Sequence, residues 1–182
     1  MAQPEQLTAP TLQEQLQDGK LAGSWTLDAT RSEVRLETRH TWKLLPLHGI
    51  FRQVTGNGTV TTAGDASGVI TVGAGSIDTK NSKRDNHLRS ADFFDVTNYP
   101  DFTYAADGVS LADSGVRITG RLTVRGRTLP ASFDARVSIA DGEVWLDGEL
   151  QVNRADFGLM WNWMGIASMH NTISIHAVFT RS

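Results

Sequence analysis

Apolar and polar side chains alternate with a period of two in segment after segment of this chain, a rhythm that few folds accommodate. Between Ser32 and Thr41, Val34, Leu36, Thr38 and His40 fall on one side, and Glu33, Arg35, Glu37 and Arg39 on the other. Val116, Ile118, Gly120, Leu122 and Val124 oppose Arg117, Thr119, Arg121, Thr123 and Arg125, and Ala131, Phe133, Ala135, Val137 and Ile139 oppose Ser132, Asp134, Arg136 and Ser138. Val144, Leu146, Gly148, Leu150 and Val152 likewise oppose Glu143, Trp145, Asp147, Glu149 and Gln151. Ile173, Ile175, Ala177 and Phe179 oppose Thr172, Ser174, His176 and Thr180, with Val178 breaking the pattern. Successive side chains of a strand point to opposite faces, so each segment reads as a strand with one dry and one wet face.

Shorter strand candidates lie near Trp25, Phe51, Val60, Ile70 and Tyr104, which brings the expected total to roughly eight to ten. Turns such as Thr55-Gly56-Asn57-Gly58 and Ala140-Asp141-Gly142 separate them. Antiparallel strands with one dry face must close on themselves or stack as two sheets. Strand length favours closure: Gly142 to Val152 would span roughly 36 Å, about twice a usual sandwich strand. The class is therefore all-β, an extended antiparallel barrel of about eight strands. Its dry positions mix Gly and Ala with Leu, Ile, Val and Phe, a pattern compatible both with an apolar tunnel and with a filled interior.

The 182 residues suit one core. Residues 1–22 read as a loose arm and a short helix, in which Thr11 and Glu14 have capping-box spacing, Leu12 and Leu16 share a face, and Gly19 closes the helix. Residues 23–182 form the barrel domain. Without cysteine there is no disulfide framework and no thiolate metal site. A formal net charge of -3 argues against nucleic acid, which needs a basic stripe to displace phosphate counterions. No run of apolar residues is long enough for a membrane-spanning helix, and the N-terminal residues do not resemble a secretory signal, so a cytoplasmic location is expected.

The strand rhythm is interrupted most strongly between Ser76 and Pro100. A short helix is expected in the 81–90 connection, with Ser82 and Asp85 at its start and Arg84, His87, Leu88 and Arg89 along it. One reading makes Asp85 the partner that orients His87 for acid–base work; the other makes the charges caps and ion pairs while Phe93 and Phe94 plug a barrel end. The second interruption, Phe157 to Asn171, holds Met160, Trp161, Trp163, Met164, Ile166 and Met169 without clear alternation. Such side chains suit a lid or rim against a lipid chain, and equally a loop folded over the barrel end or a dimer contact. The five histidines show no metal-binding spacing, so no metal site is expected. His40 lies on a dry face, where it would meet either a ligand head group or a backbone carbonyl.

Several of these stretches are distinctive together: Ile77-Asp78-Thr79, then Arg84-Asp85-Asn86-His87-Leu88-Arg89-Ser90-Ala91-Asp92-Phe93-Phe94-Asp95 and Tyr99-Pro100. Gly49-Ile50-Phe51, Leu122 to Thr128 and Asn153-Arg154-Ala155-Asp156-Phe157-Gly158-Leu159 accompany them. In these segments the chain resembles the YceI-like family from about residue 23 onward. The resemblance implies a lipocalin-like barrel, often a homodimer, whose lumen takes a long isoprenoid, an isoprenoid quinone or a similar lipid. It favours the tunnel and a carrier that needs no cofactor.

Inward candidates for ligand contact are Leu36, His40, Ile118, Leu122 and Phe133, with Leu146, Leu150, Ile175 and Phe179 on the following strands. Rim candidates are Phe93, Phe94, Met160, Trp161, Trp163 and Met164. The alternatives are an enzyme acting on a hydrophobic substrate in the same cavity, and an interaction barrel with no ligand.

Overall fold

The computed structural model describes residues 9–40, 47–112, 115–160 and 167–182. Helix α1 (Ala9–Gln17) precedes strands β1 (Gly23–Leu27), β2 (Glu33–His40), β3 (Leu47–Phe51), β4 (Val54–Val60), β5 (Ala66–Gly73) and β6 (Ile77–Asp78). Helix α2 (Ser82–Arg89) leads into β7 (Asp101–Ala112), β8 (Gly115–Val124), β9 (Arg127–Ala140), β10 (Glu143–Asn153) and β11 (Ala167–Arg181). All pairings are antiparallel.

These segments occupy eight positions in one closed wall. The first part of β11 pairs with β2 and its last residues with β1, so β1 and β2 are one strand position broken by a corner. Their neighbours β3 and β4 continue each other in the same way, since β3 pairs with β2 and β4 with β1. Next to these, β5 pairs with β4 and the short β6 with β3. Strands β7 to β11 complete the wall, and the β1–β11 pairing closes it.

The corner between β1 and β2 explains the break at Val178. Asp28 accepts the Thr30 N–H at 2.9 Å and Arg31 Nε at 2.7 Å, and Arg31 continues as a two-pronged donor to Glu143 at 2.8 and 2.7 Å. This folds the corner over the outer face of β11, where the Asp28 N–H donates to the Val178 carbonyl and the Val178 N–H to Ser32 Oγ. Val178 is consequently 0 % exposed although it points away from the lumen. At Arg125-Gly126 and Asp141-Gly142, φ is positive at both central residues, the turn that matches the twist of hairpin strands.

Both helices begin differently from the sequence expectation. Helix α1 includes Ala9 and Pro10, so Thr11 lies inside it and does not cap it; proline is tolerated in a first turn because its missing N–H would have no helical partner there. In α2 the cap is Asn81, whose side chain accepts the Arg84 N–H at 3.1 Å, and Ser82 is the first helical residue. Asn81 has the extended backbone that a cap requires. Strand β11 begins at Ala167, inside the stretch that read as non-alternating. A register irregularity between Ala167 and Asn171 accounts for the lost period.

Candidate ligand-binding lumen

Alternation places one face of every long strand inside the barrel, and at the α1 end these faces leave a cavity of about 170 Å³. Leu12, Leu16 and Leu21 close it from the helix side, Trp25, Leu146 and Phe179 form one wall, and Ile70, Ile118 and Phe133 lie deeper. Leu12 is 3 % exposed, so α1 is seated in the barrel mouth. Trp25 Nε1 donates to the Leu21 carbonyl at 3.0 Å, which ties the chain after the helix to the wall. A second, smaller cavity of about 60 Å³ lies nearer the α2 end, among Val34, Phe51, Phe102, Leu122, Leu150 and Ile175.

Tyr104 and Ile70 line both cavities. The Tyr104 ring meets Phe133 edge to face with centroids 5.4 Å apart, and its hydroxyl donates to the Ala131 carbonyl at 2.9 Å. Strand β8 lies between β7 and β9, so this side chain bridges across the inner face of an intervening strand. Burial, with a smaller contribution from Asp107, pushes the Tyr104 phenol up to about 12.

Beyond the smaller cavity, aromatic rings close the α2 end. Phe94 stacks edge to face with Phe93 and with Phe102, both at 4.9 Å, and Phe51 meets Phe102 at 6.0 Å. Arg154, 5 % exposed, places its guanidinium 5.7 Å from the centre of the Phe93 ring. The two most distinctive sequence stretches thus meet at one barrel end. Asp85 is buried there and accepts the Thr79 N–H at 3.0 Å and the Thr79 hydroxyl. Arg84 donates to Thr79, and Arg89 donates to the carbonyls of Gly75 and Ile77. Asp85 therefore does not orient His87: residues two apart on a helix do not face each other, and the carboxylate is engaged with the strand-to-helix turn.

Of the sequence candidates, Ile118, Leu122, Phe133, Leu146, Leu150, Ile175 and Phe179 line one or other cavity. Leu36 packs against the core, Phe93 and Phe94 belong to the aromatic closure, and Met160 is 61 % exposed. Trp161, Trp163 and Met164 lie outside the described residues, as does the His40 side chain. The sequence reading missed the contribution of α1, although the i, i+4 spacing of Leu12 and Leu16 was its signal. It also missed Tyr104, Ile70 and Trp25 as cavity residues, because their strands alternate less clearly. A buried polar pair was equally unforeseen: Thr38 Oγ donates to Asn171 Oδ1 at 2.6 Å across β2 and β11.

The outer wall carries a concavity of about 630 Å³ lined by Glu33, Arg35, Arg136, Asp147, Glu149 and His176. His176 Nδ1 and Asp147 Oδ1 are 2.6 Å apart there. These charges alternate in sign and face solvent, so this surface does not suit an apolar chain, whereas the lumen does.

Eight antiparallel strands around an apolar, end-capped lumen define a binding-barrel class of protein. The YceI-like domain matches residues 25–180, and the chain belongs to the YceI-like family. Protein YceI of Shigella flexneri is 31% identical over 121 residues, which are 62% of this chain and 63% of that protein. UPF0312 protein Ent638_1570 of Enterobacter sp. (strain 638) is 33% identical over 101 residues, 54% of this chain and 53% of the relative. The chain thus matches less than two thirds of the length of these curated relatives. Among solved structures, BcnA of Burkholderia cenocepacia superposes with a TM-score of 0.73 at 22% identity, covering 84% of this chain and 98% of that one. A polyisoprenoid binding domain from Saccharophagus degradans gives 0.69 at 16% identity, with 87% and 98% covered. At these identities the structures share the fold.

Proposed function

We propose that this protein sequesters and carries a long-chain isoprenoid, an isoprenoid quinone or a similar amphiphile in the barrel lumen, binding it without turnover. The observation that carries the reading is the cavity between α1 and the Tyr104–Phe133 pair, walled by aliphatic and aromatic side chains and covered by Leu12 and Leu16. Burial of an apolar chain there is favourable by roughly 25 cal/mol for each Å² removed from water. The YceI-like family and the polyisoprenoid-binding neighbour support an apolar ligand.

The two cavities, about 170 and 60 Å³, fall below the roughly 300–1,000 Å³ of ordinary ligand pockets. A long chain therefore needs the lumen to enlarge, and α1 is the element whose departure opens a mouth without breaking strand pairing. The family resemblance extends the proposal to a homodimer, which sedimentation of the purified protein checks.

Mass spectrometry of the organic extract from gently purified protein, paired with native mass spectrometry of the intact complex, tests the carrier. A stoichiometric prenyl lipid is expected. Protein that is folded yet neither retains nor takes up any prenyl lipid would refute it.

A further inference from the structure

We infer that Tyr104 and Phe133 form an internal gate that sets how much of a lipid tail the lumen accepts before the protein must rearrange. The inference rests on the lumen-binding reading above and adds to it a residue-level control of tail length.

Three observations carry it. Two cavities occupy one barrel, Tyr104 and Ile70 bound both of them, and Phe133 bounds the larger one beside Tyr104. The Tyr104 ring is held by two contacts: its hydroxyl donates to the Ala131 carbonyl across β8, and the ring packs edge to face with Phe133. Phe133 in turn leans over Gly148 of β10, where a side chain as small as a methyl would lie 2.7 Å from its ring. The pair therefore spans the wall from β7 to β10 on a strand that offers it space.

The α1-side chamber is short. Along β5 it runs from Ala66 to Ile70, roughly 13 Å of strand and about 10 Å along a barrel axis at the usual tilt. A geranyl chain fills that depth, and a geranylgeranyl chain overruns it. A tail inserted past α1 thus meets the Tyr104–Phe133 rings after its first units. Further insertion requires the phenol to leave the Ala131 carbonyl and the two rings to turn aside, which joins the chambers as far as the Phe94–Phe102 closure.

The test uses geraniol, farnesol, geranylgeraniol and solanesol, titrated into the whole chain and into Tyr104→Ala, Tyr104→Phe and Phe133→Leu, with quenching of tryptophan fluorescence as the readout. In the parent protein affinity is expected to climb with the short alcohols and then to break in slope at the first one that overruns the chamber. In Tyr104→Ala and Phe133→Leu the break moves to a longer alcohol, with a gain of about tenfold for the first overrunning chain and little change for geraniol. Tyr104→Phe keeps the break and speeds association of the long chains, because only the hydroxyl tie is lost. Should Tyr104→Ala fail to fold, Phe133→Leu and Tyr104→Phe carry the test. An identical length profile in all folded variants, or an equal gain at every length, overturns the gate while leaving lumen binding intact. Absence of binding by every alcohol to the folded parent protein overturns both.

Discussion

Phe133 on β9 occupies the space left by the missing side chain of Gly148 on β10: a Cβ there would stand 2.7 Å from Phe133 Cε2 and 3.1 Å from the Ala135 methyl. An aromatic ring has no flexible end with which to retreat. Gly148→Val is therefore expected to overpack the wall, costing about 1–3 kcal/mol and driving Phe133 into the lumen. Urea unfolding measures the first effect and loss of farnesol binding the second. Parent-like stability and binding would mean that the ring is not held where the glycine admits it.

Leu12 and Leu16 hold α1 in the barrel mouth, and α1 is an edge element with no strand pairing to sustain it. Truncating a buried leucine costs about 2–5 kcal/mol where the site cannot collapse. In Leu12→Ala that loss is expected to fall largely on the docking of α1, so that bound lipid exchanges at least about tenfold faster while the barrel keeps its own transition. Ligand-exchange kinetics and amide hydrogen exchange across α1 check this together.

Asp85 is a buried acceptor for the turn at Thr79, with Arg84 and Arg89 anchoring the same turn from other sides. Asp85→Ala leaves the Thr79 N–H without this acceptor and is expected to destabilise by about 1–3 kcal/mol, with lipid occupancy of the folded fraction unchanged. Chemical denaturation and extract stoichiometry measure the two. Loss of a catalytic turnover in a fully stable Asp85→Ala protein would instead favour an enzyme.

The Tyr104 phenol is pushed up to about 12, chiefly by burial and secondly by Asp107, so the neutral form is favoured in the folded state. A folded pKa above the unfolded value of about 10 gives stability that is complete below pH 10 and is lost as pH rises through 12. Absorbance titration of Tyr99→Phe, which leaves Tyr104 as the sole phenol, is expected to show a late phenolate that appears together with unfolding. Tyr104→Phe should remove that alkaline dependence.

At the acid side the sign reverses. The Asp28 carboxyl is held well below the usual carboxylate range, first by the Thr30 hydroxyl and then by Arg31, and that of Asp78 first by the Lys80 N–H and then by its ammonium and Arg52. Depressed folded pKa values give stability that is complete above about pH 4 and is lost as pH falls below it. Asp28→Asn and Asp78→Asn are expected to make the acid limb of melting temperature against pH shallower.

Much of the wall was legible from local sequence. The alternating sets on β8, β9 and β10 fall inward as their period requires, since Val116, Ile118, Phe133, Ala135 and Leu150 are all buried. The short charged helix before Phe93 was also legible. Its cap was misplaced by one residue because Asn81 and Ser82 are both good caps, and the choice depends on which has extended backbone in the folded chain. The pairing of Asp85 with Thr79 could not be read, since it depends on how α2 returns onto β6.

Local sequence was enough for the all-β class, for the dry faces of β2, β8, β9, β10 and β11, and for the family resemblance. The dry faces were legible because a period of two is imposed by the backbone of each strand independently of its neighbours, and the family resemblance came from the motifs between Ile77 and Pro100 and their companions. Tertiary packing alone fixed that three wall positions are broken by corners, that Val178 is covered from outside, that α1 sits in the mouth, and that Tyr104 and Ile70 stand where two cavities meet. Each of these is a contact between residues far apart in the chain, and the space inside a closed wall depends on how all the strands pack at once.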